Sequence, residues 1–106
     1  MWRSEELKQS FDRRYVKAVE LVSVSGISYS KVGIFGSYAR GDFKADSDID
    51  FCIVCEELPS RRDAAYLRCL LDDIGVDCTI MTRSRFECED SRFMRNLRKD
   101  LKEVSI

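Results

Sequence analysis

The chain reads as an α+β domain with α/β-like alternation, in which helices pack on a small β-sheet. Three observations predict this. Short apolar, β-branched runs are bounded by glycine or proline. Longer stretches between them carry apolar residues at helical spacing. The two kinds of segment alternate along all 106 residues. A chain of this length buries roughly two thirds of its unfolded surface, enough for one modest core. A single domain over residues 1–106 is therefore expected.

From Ser4 to about Val24, Leu7, Phe11, Ala18 and Val22 recur at helical spacing with charges between them. This predicts an amphipathic helix with Ser4 as its N-cap, ended by Ser23, Ser25 and Gly26. Lys31 to Phe35 (KVGIF) is a buried strand closed by Gly36. Ser37 to Arg40 fits one helical turn ended by Gly41, and Asp42 to Ser47 is a polar loop. Asp48 to Cys55 (DIDFCIVC) is the second strand. After a break at Glu56 to Pro59, Ser60 caps a helix to about Ile74, with Ala64, Leu67, Leu70 and Leu71 on its apolar face and Gly75 past its end. Val76 to Met81 (VDCTIM) is the third strand. Thr82 or Ser84 then caps a last helix, where Phe86, Phe93, Leu97, Leu101 and Val104 fit the helical period. Periodicity does not give the strand directions.

Composition excludes several classes. Hydrophobic content of 44% with 35% charged residues is globular rather than disordered. A net charge of −1 argues against a nucleic-acid partner, which calls for a basic excess. The start, Met1-Trp2-Arg3-Ser4-Glu5-Glu6, has no apolar stretch behind it, so no leader is expected, and no apolar run is long enough to span a membrane. Five cysteines, an odd number scattered through predicted elements, fit a reduced, cytoplasmic protein. There is no histidine. That removes Ser-His-Asp and Cys-His catalysis and most zinc sites. Carboxylates, Lys, Tyr, Cys or a metal held by oxygen ligands are left, and oxygen-rich sites favour Mg²⁺ or Mn²⁺.

The chemistry concentrates in Gly36-Ser37, followed after ten residues by Asp48-Ile49-Asp50. Side chains alternate along a strand, so Asp48 and Asp50 share one face while Ile49, Phe51 and Ile53 point the other way, to a core. Two carboxylates so close repel, and a divalent cation relieves that. Asp77 opens the third strand and reaches the same place if that strand pairs with the second. The Gly-Ser turn suits phosphate: glycine permits close backbone approach, and free N–H groups attract anions. Arg40, one turn on, can meet a phosphate or lie at the surface. With 19 acidic residues in the chain, an isolated Asp-x-Asp pair is more often solvated surface. It is the ordered combination of turn, pair and third Asp that is informative.

GSYARGDFKADSDIDFCIV resembles the signature of the nucleotidyltransferase superfamily related to DNA polymerase beta. It is most similar to the minimal nucleotidyltransferase domains of bacteria and archaea. The resemblance covers about Val32 to Met81 and includes VDCTIM as the third-carboxylate strand. It implies a nucleotidyltransferase fold, with a mixed β-sheet flanked by helices, and transfer of NMP from an NTP to a hydroxyl. Gly36 and Ser37 would hold the β- and γ-phosphates. Asp48 and Asp50 would bind two Mg²⁺ ions, and Asp77 would bind the catalytic ion and help activate the attacking hydroxyl. Two ions about 3.5–4 Å apart stabilise both oxygens of an in-line displacement.

Minimal domains of this family are often paired with HEPN-type toxins in toxin–antitoxin systems, so the resemblance further implies ATP as substrate, a toxin tyrosine as acceptor and an antitoxin role. A chain this short leaves no room for an acceptor domain, which points to a partner chain and to homo- or hetero-oligomers. Two alternatives belong beside it: a non-catalytic module that neutralises a partner by contact, and transfer to a small molecule or an RNA end.

Other features read as structure. Cys52 and Cys55 match C-x-x-C, but residues three apart on a strand face opposite ways and cannot share a metal or disulfide. Arg92, Arg95, Arg98, Lys99 and Lys102 alternate with acidic residues as a solvated helix face, with docking of RNA or an acidic partner as the alternative. Tyr15, Tyr29, Tyr38 and Tyr66 fit packing or surface, and Tyr38 is also placed to line a nucleotide pocket.

Overall fold

The computed structural model describes residues 4–106, so Met1 to Arg3 lie outside the described residues. Helix α1 (Ser4–Ser23) is followed by β1 (Lys31–Phe35), α2 (Gly36–Arg40), β2 (Ile49–Cys55), α3 (Arg61–Asp72) and β3 (Val76–Thr82). Then come α4 (Arg83–Cys88), α5 (Arg92–Asp100) and β4 (Lys102–Glu103). The sheet has the order β3-β2-β1-β4. It is mixed: β1 is antiparallel to β2 and β4, while β2 and β3 run parallel.

The parallel pair follows from the connection. Helix α3 crosses between β2 and β3 and lets the chain re-enter the sheet in the same direction. Its start is sharply defined, because the Ser60 hydroxyl accepts from the Asp63 N–H at 3.1 Å. A cap of this kind contributes about 1 kcal/mol. Ser4, expected as the cap of α1, is the first described residue and is already helical.

Strand alternation divides the core. Ile49, Phe51, Ile53 and Cys55 of β2 pack with Phe11, Ala18 and Val22 of α1 and Leu67 and Leu71 of α3. Cys52 and Val54 face the other way and pack with Met81, Met94 and Leu97 beneath α5. Cys52 and Cys55 thus lie in different clusters, as strand geometry requires.

The C-terminal third corrects the sequence reading. The single expected helix is two short ones, followed by a strand. The Thr82 hydroxyl caps α4 by accepting from the Arg85 N–H at 3.2 Å, and the Ser91 hydroxyl caps α5 by accepting from the Met94 N–H at 3.1 Å. Serine competes for backbone donors and so starts a new helix within a periodic apolar pattern. Leu101 ends α5, and Lys102–Glu103 pairs with Gly33 and Ile34 of β1, giving a fourth strand. Val104 donates its N–H to the Val32 carbonyl at 2.8 Å and is not helical. Among the described residues, no helix is long and apolar enough to cross a membrane.

Candidate active site

The predicted site residues gather at one end of the sheet. Strand β1 delivers the chain to Gly36 at that end, and β2 and β3 begin there. Phe35 stands opposite Asp50 in the antiparallel register, and Asp50 stands opposite Asp77 in the parallel one. Asp50 and Asp77 therefore project side by side from the α5 face of the sheet. Asp48 sits just before β2, two residues back on the same side, and is exposed like Asp77.

Gly36 is required by its position. Its φ of +77° is left-handed, and a Cβ built there would run into the Asp50 carboxylate. The chain thus brings backbone, not side chain, against the acid. Gly36 opens α2, and no side chain caps that turn. The first N–H groups of such a turn have no partner within the helix. Gly41 closes it at φ 88°, with its N–H donated to the Ser37 and Tyr38 carbonyls.

Burial first, and then the Asp77 and Asp48 charges, push the Asp50 carboxyl up to about 6, with Arg40 opposing them. All three carboxylates and Arg40 are thus within electrostatic reach of one point. Among the described residues, no three His, Cys, Asp or Glu side chains stand close enough together to hold a metal ion by themselves. The donor set nevertheless fits Mg²⁺, which takes oxygen ligands and commonly binds through one or two carboxylates plus substrate phosphates rather than in an all-protein cage.

Arg40 is engaged already. Its Nη1 donates to Asp100 Oδ2 at 2.7 Å and its Nε to Asp42 Oδ2 at 3.2 Å. Asp100 lies sixty positions away on α5, and nothing in the local sequence of Arg40 announces it. Tyr38 turns out to be a packing residue. Its hydroxyl donates to Asp12 at 2.6 Å, and its ring lies 5.8 Å from Phe11 and 5.3 Å from Phe43. It belongs to the contact with α1 rather than to the carboxylate side. The basic residues near the C-terminus are partly paired too, as in Arg95 with Asp90 at 2.8 Å.

Residues 20–104 match the Nucleotidyltransferase domain family. Protein adenylyltransferase MntA of Thermococcus cleftensis is 53% identical over 30 residues, 28% of this chain and 30% of that protein. The aligned chain thus spans less than a third of that relative's length. A solved Sulfolobus solfataricus protein, provisionally assigned as a nucleotidyltransferase, superposes with a TM-score of 0.62 at 25% identity, covering 97% of this chain and 87% of its own. The complex of a tri-AMPylated Shewanella oneidensis HEPN toxin with an MNT antitoxin contains a chain of the same fold. Its TM-score is 0.57 at 14% identity, covering 87% of this chain and 69% of that one. This chain belongs to the nucleotidyltransferase domain family.

Proposed function

We propose that this nucleotidyltransferase-family chain transfers AMP from ATP to a tyrosine hydroxyl of a HEPN-type partner toxin, acting as its antitoxin. The observation that carries the reading is the register that sets Gly36-Ser37, Asp50 and Asp77 in a row at one sheet end, with Asp48 beside them. Relatives support the choice of chemistry: one is named a protein adenylyltransferase, and one neighbour of the same fold comes from a toxin–antitoxin complex with AMP-PNP. The single expected domain accords with this reading.

In this reading the Gly36-Ser37 turn holds the β- and γ-phosphates, and Arg40 supplies a positive charge nearby. Asp48, Asp50 and Asp77 would hold two Mg²⁺ ions, and Mn²⁺ would satisfy the same donors. When bound, the ions would supply neutralisation of charge on the attacking and leaving oxygens. The acceptor oxygen forms a bond to the α-phosphorus, and the bond from that phosphorus to the bridging oxygen breaks. Pyrophosphate leaves with the electron pair, and Asp77 helps remove the hydroxyl proton. Positioning and charge neutralisation then supply most of the rate, so no histidine is needed.

The test is incorporation of label from α-phosphate-labelled ATP in a lysate of the source cell with Mg²⁺, comparing wild type with Asp48→Asn. A protein band lost in the variant is expected. Label on RNA or on a small molecule would keep the transfer and replace the acceptor. No label with any of the four NTPs, from folded protein, would favour a binding module.

A further inference from the structure

We propose that the nucleobase of the bound triphosphate stacks on Phe93 of α5, a ring that Phe35 holds in place beside the site carboxylates. The inference deepens the transfer reading above and rests on it, since that reading supplies the nucleotide.

Pattern and burial disagree at Phe93. It falls on the apolar period of the C-terminal stretch, and its α5 neighbours Met94 and Leu97 are buried, yet Phe93 is 46% exposed. Among the described residues, only two aromatic side chains stand this open. The other, Tyr66, belongs to α3, which packs on the opposite side of the sheet.

The strand register fixes where Phe93 sits. Phe35 lies directly opposite Asp50, so both side chains leave the same face of the sheet, with their Cβ atoms about 5 Å apart. The Phe93 ring meets the Phe35 ring edge to face, with centroids 6.0 Å apart and planes at 87°. Carboxylate, supporting ring and open ring therefore follow one another. The same flank of α5 reaches the site again two turns on, where Asp100 accepts from Arg40 of α2 at 2.7 Å.

A nucleotide held by the three carboxylates lies on the α5 side of the sheet, because Asp50 and Asp77 project there. The turn and the carboxylates deal with its phosphates. Its base is left with a flat apolar face, and Phe93 offers a flat apolar face to cover it. An edge-to-face pair with Phe35 orients the ring and leaves it open for a stack. Stacking follows ring area rather than hydrogen-bond pattern, so Phe93 favours purines and does not choose between adenine and guanine. Phe93 is a binding residue, and it does not touch the reacting atoms.

The test is calorimetric titration of the full chain in Mg²⁺ with two ligands. One is α,β-methylene-ATP, which cannot release AMP. The other is tripolyphosphate, which has the phosphates and no base. Phe93→Ala should weaken α,β-methylene-ATP about tenfold or more, the loss of one base stack, and leave tripolyphosphate unchanged. Phe93→Trp should keep the wild-type affinity. Phe93→Leu, which preserves apolar packing without a flat ring, should fall between them. Tyr66→Ala should alter neither ligand. The α,β-methylene analogue of CTP should bind wild type more weakly and lose less on Phe93→Ala.

Unchanged affinity for α,β-methylene-ATP in Phe93→Ala and Phe93→Leu, or an equal loss for both ligands, would overturn the stack and leave the transfer reading standing. Binding of neither ligand by the folded wild-type chain would remove the transfer reading and the stack with it.

Discussion

Gly36 and the Asp50 carboxylate occupy adjoining space so closely that a single added methyl group cannot be placed between them. Gly36 also holds a φ of +77°, which costs a non-glycine residue about 1–2 kcal/mol. The turn and the acid are therefore one unit, built by the antiparallel register of β1 and β2.

Gly36→Ala should consequently lower stability by about 1–3 kcal/mol and shift the Asp50 carboxylate away from the turn. A displacement of about 1 Å in such a site costs on the order of a hundredfold in rate. Urea unfolding and AMP transfer measured on the same preparation check this. Unchanged transfer in a folded Gly36→Ala protein would separate the turn from the chemistry.

Asp50 predicts an unusual pH dependence in the metal-free chain. Its pKa rises from 3.8 to about 6, chiefly through burial. Between those values the folded state binds more protons than the unfolded state, so stability falls as pH rises from about 4 to 6 and is level above that. The penalty at neutral pH is about 1–2 kcal/mol after allowance for partial exposure. Asp50→Asn should remove it and stabilise the metal-free protein at pH 7, with the slope between pH 4 and 6 largely lost. Millimolar Mg²⁺ should raise the Tm of wild type and not of the variant. A wild-type profile without that fall would contradict the assignment.

Ser91 carries the break in the C-terminal helical stretch. Ser91→Ala removes the hydroxyl that accepts from the Met94 N–H and should cost about 1 kcal/mol. Because α5 also carries Asp100, the partner of Arg40, the loss should reach the site as greater hydrogen exchange at the α5 start and around Arg40. Exchange confined to the mutated turn would show that the two are not coupled.

Local chemistry made much of this molecule legible. Ser60, the Gly41 turn and the alternation of β2 depend on neighbours within a few residues, and each stands where the pattern places it. The same alternation separates Asp48 and Asp50 from Ile49 and Phe51. The C-terminal stretch reads as one long helix because Phe86, Phe93 and Leu97 keep the helical period across the break, while the Ser91 cap that interrupts it is a weak signal in sequence. Two residues of β4 are too few to carry a period at all.

Short-range order and spacing specify the elements as far as Thr82, the shared face of the paired carboxylates and the family signature. The assembled fold supplies the rest: the strand order, the parallel pairing that sets Asp77 beside Asp50, the capture of Arg40 by Asp100 and the division of the C-terminal stretch into α4, α5 and β4. These depend on which distant segments bury their apolar faces together, through α1 and α3 on one side of the sheet and α5 on the other. That choice is made by the whole core at once.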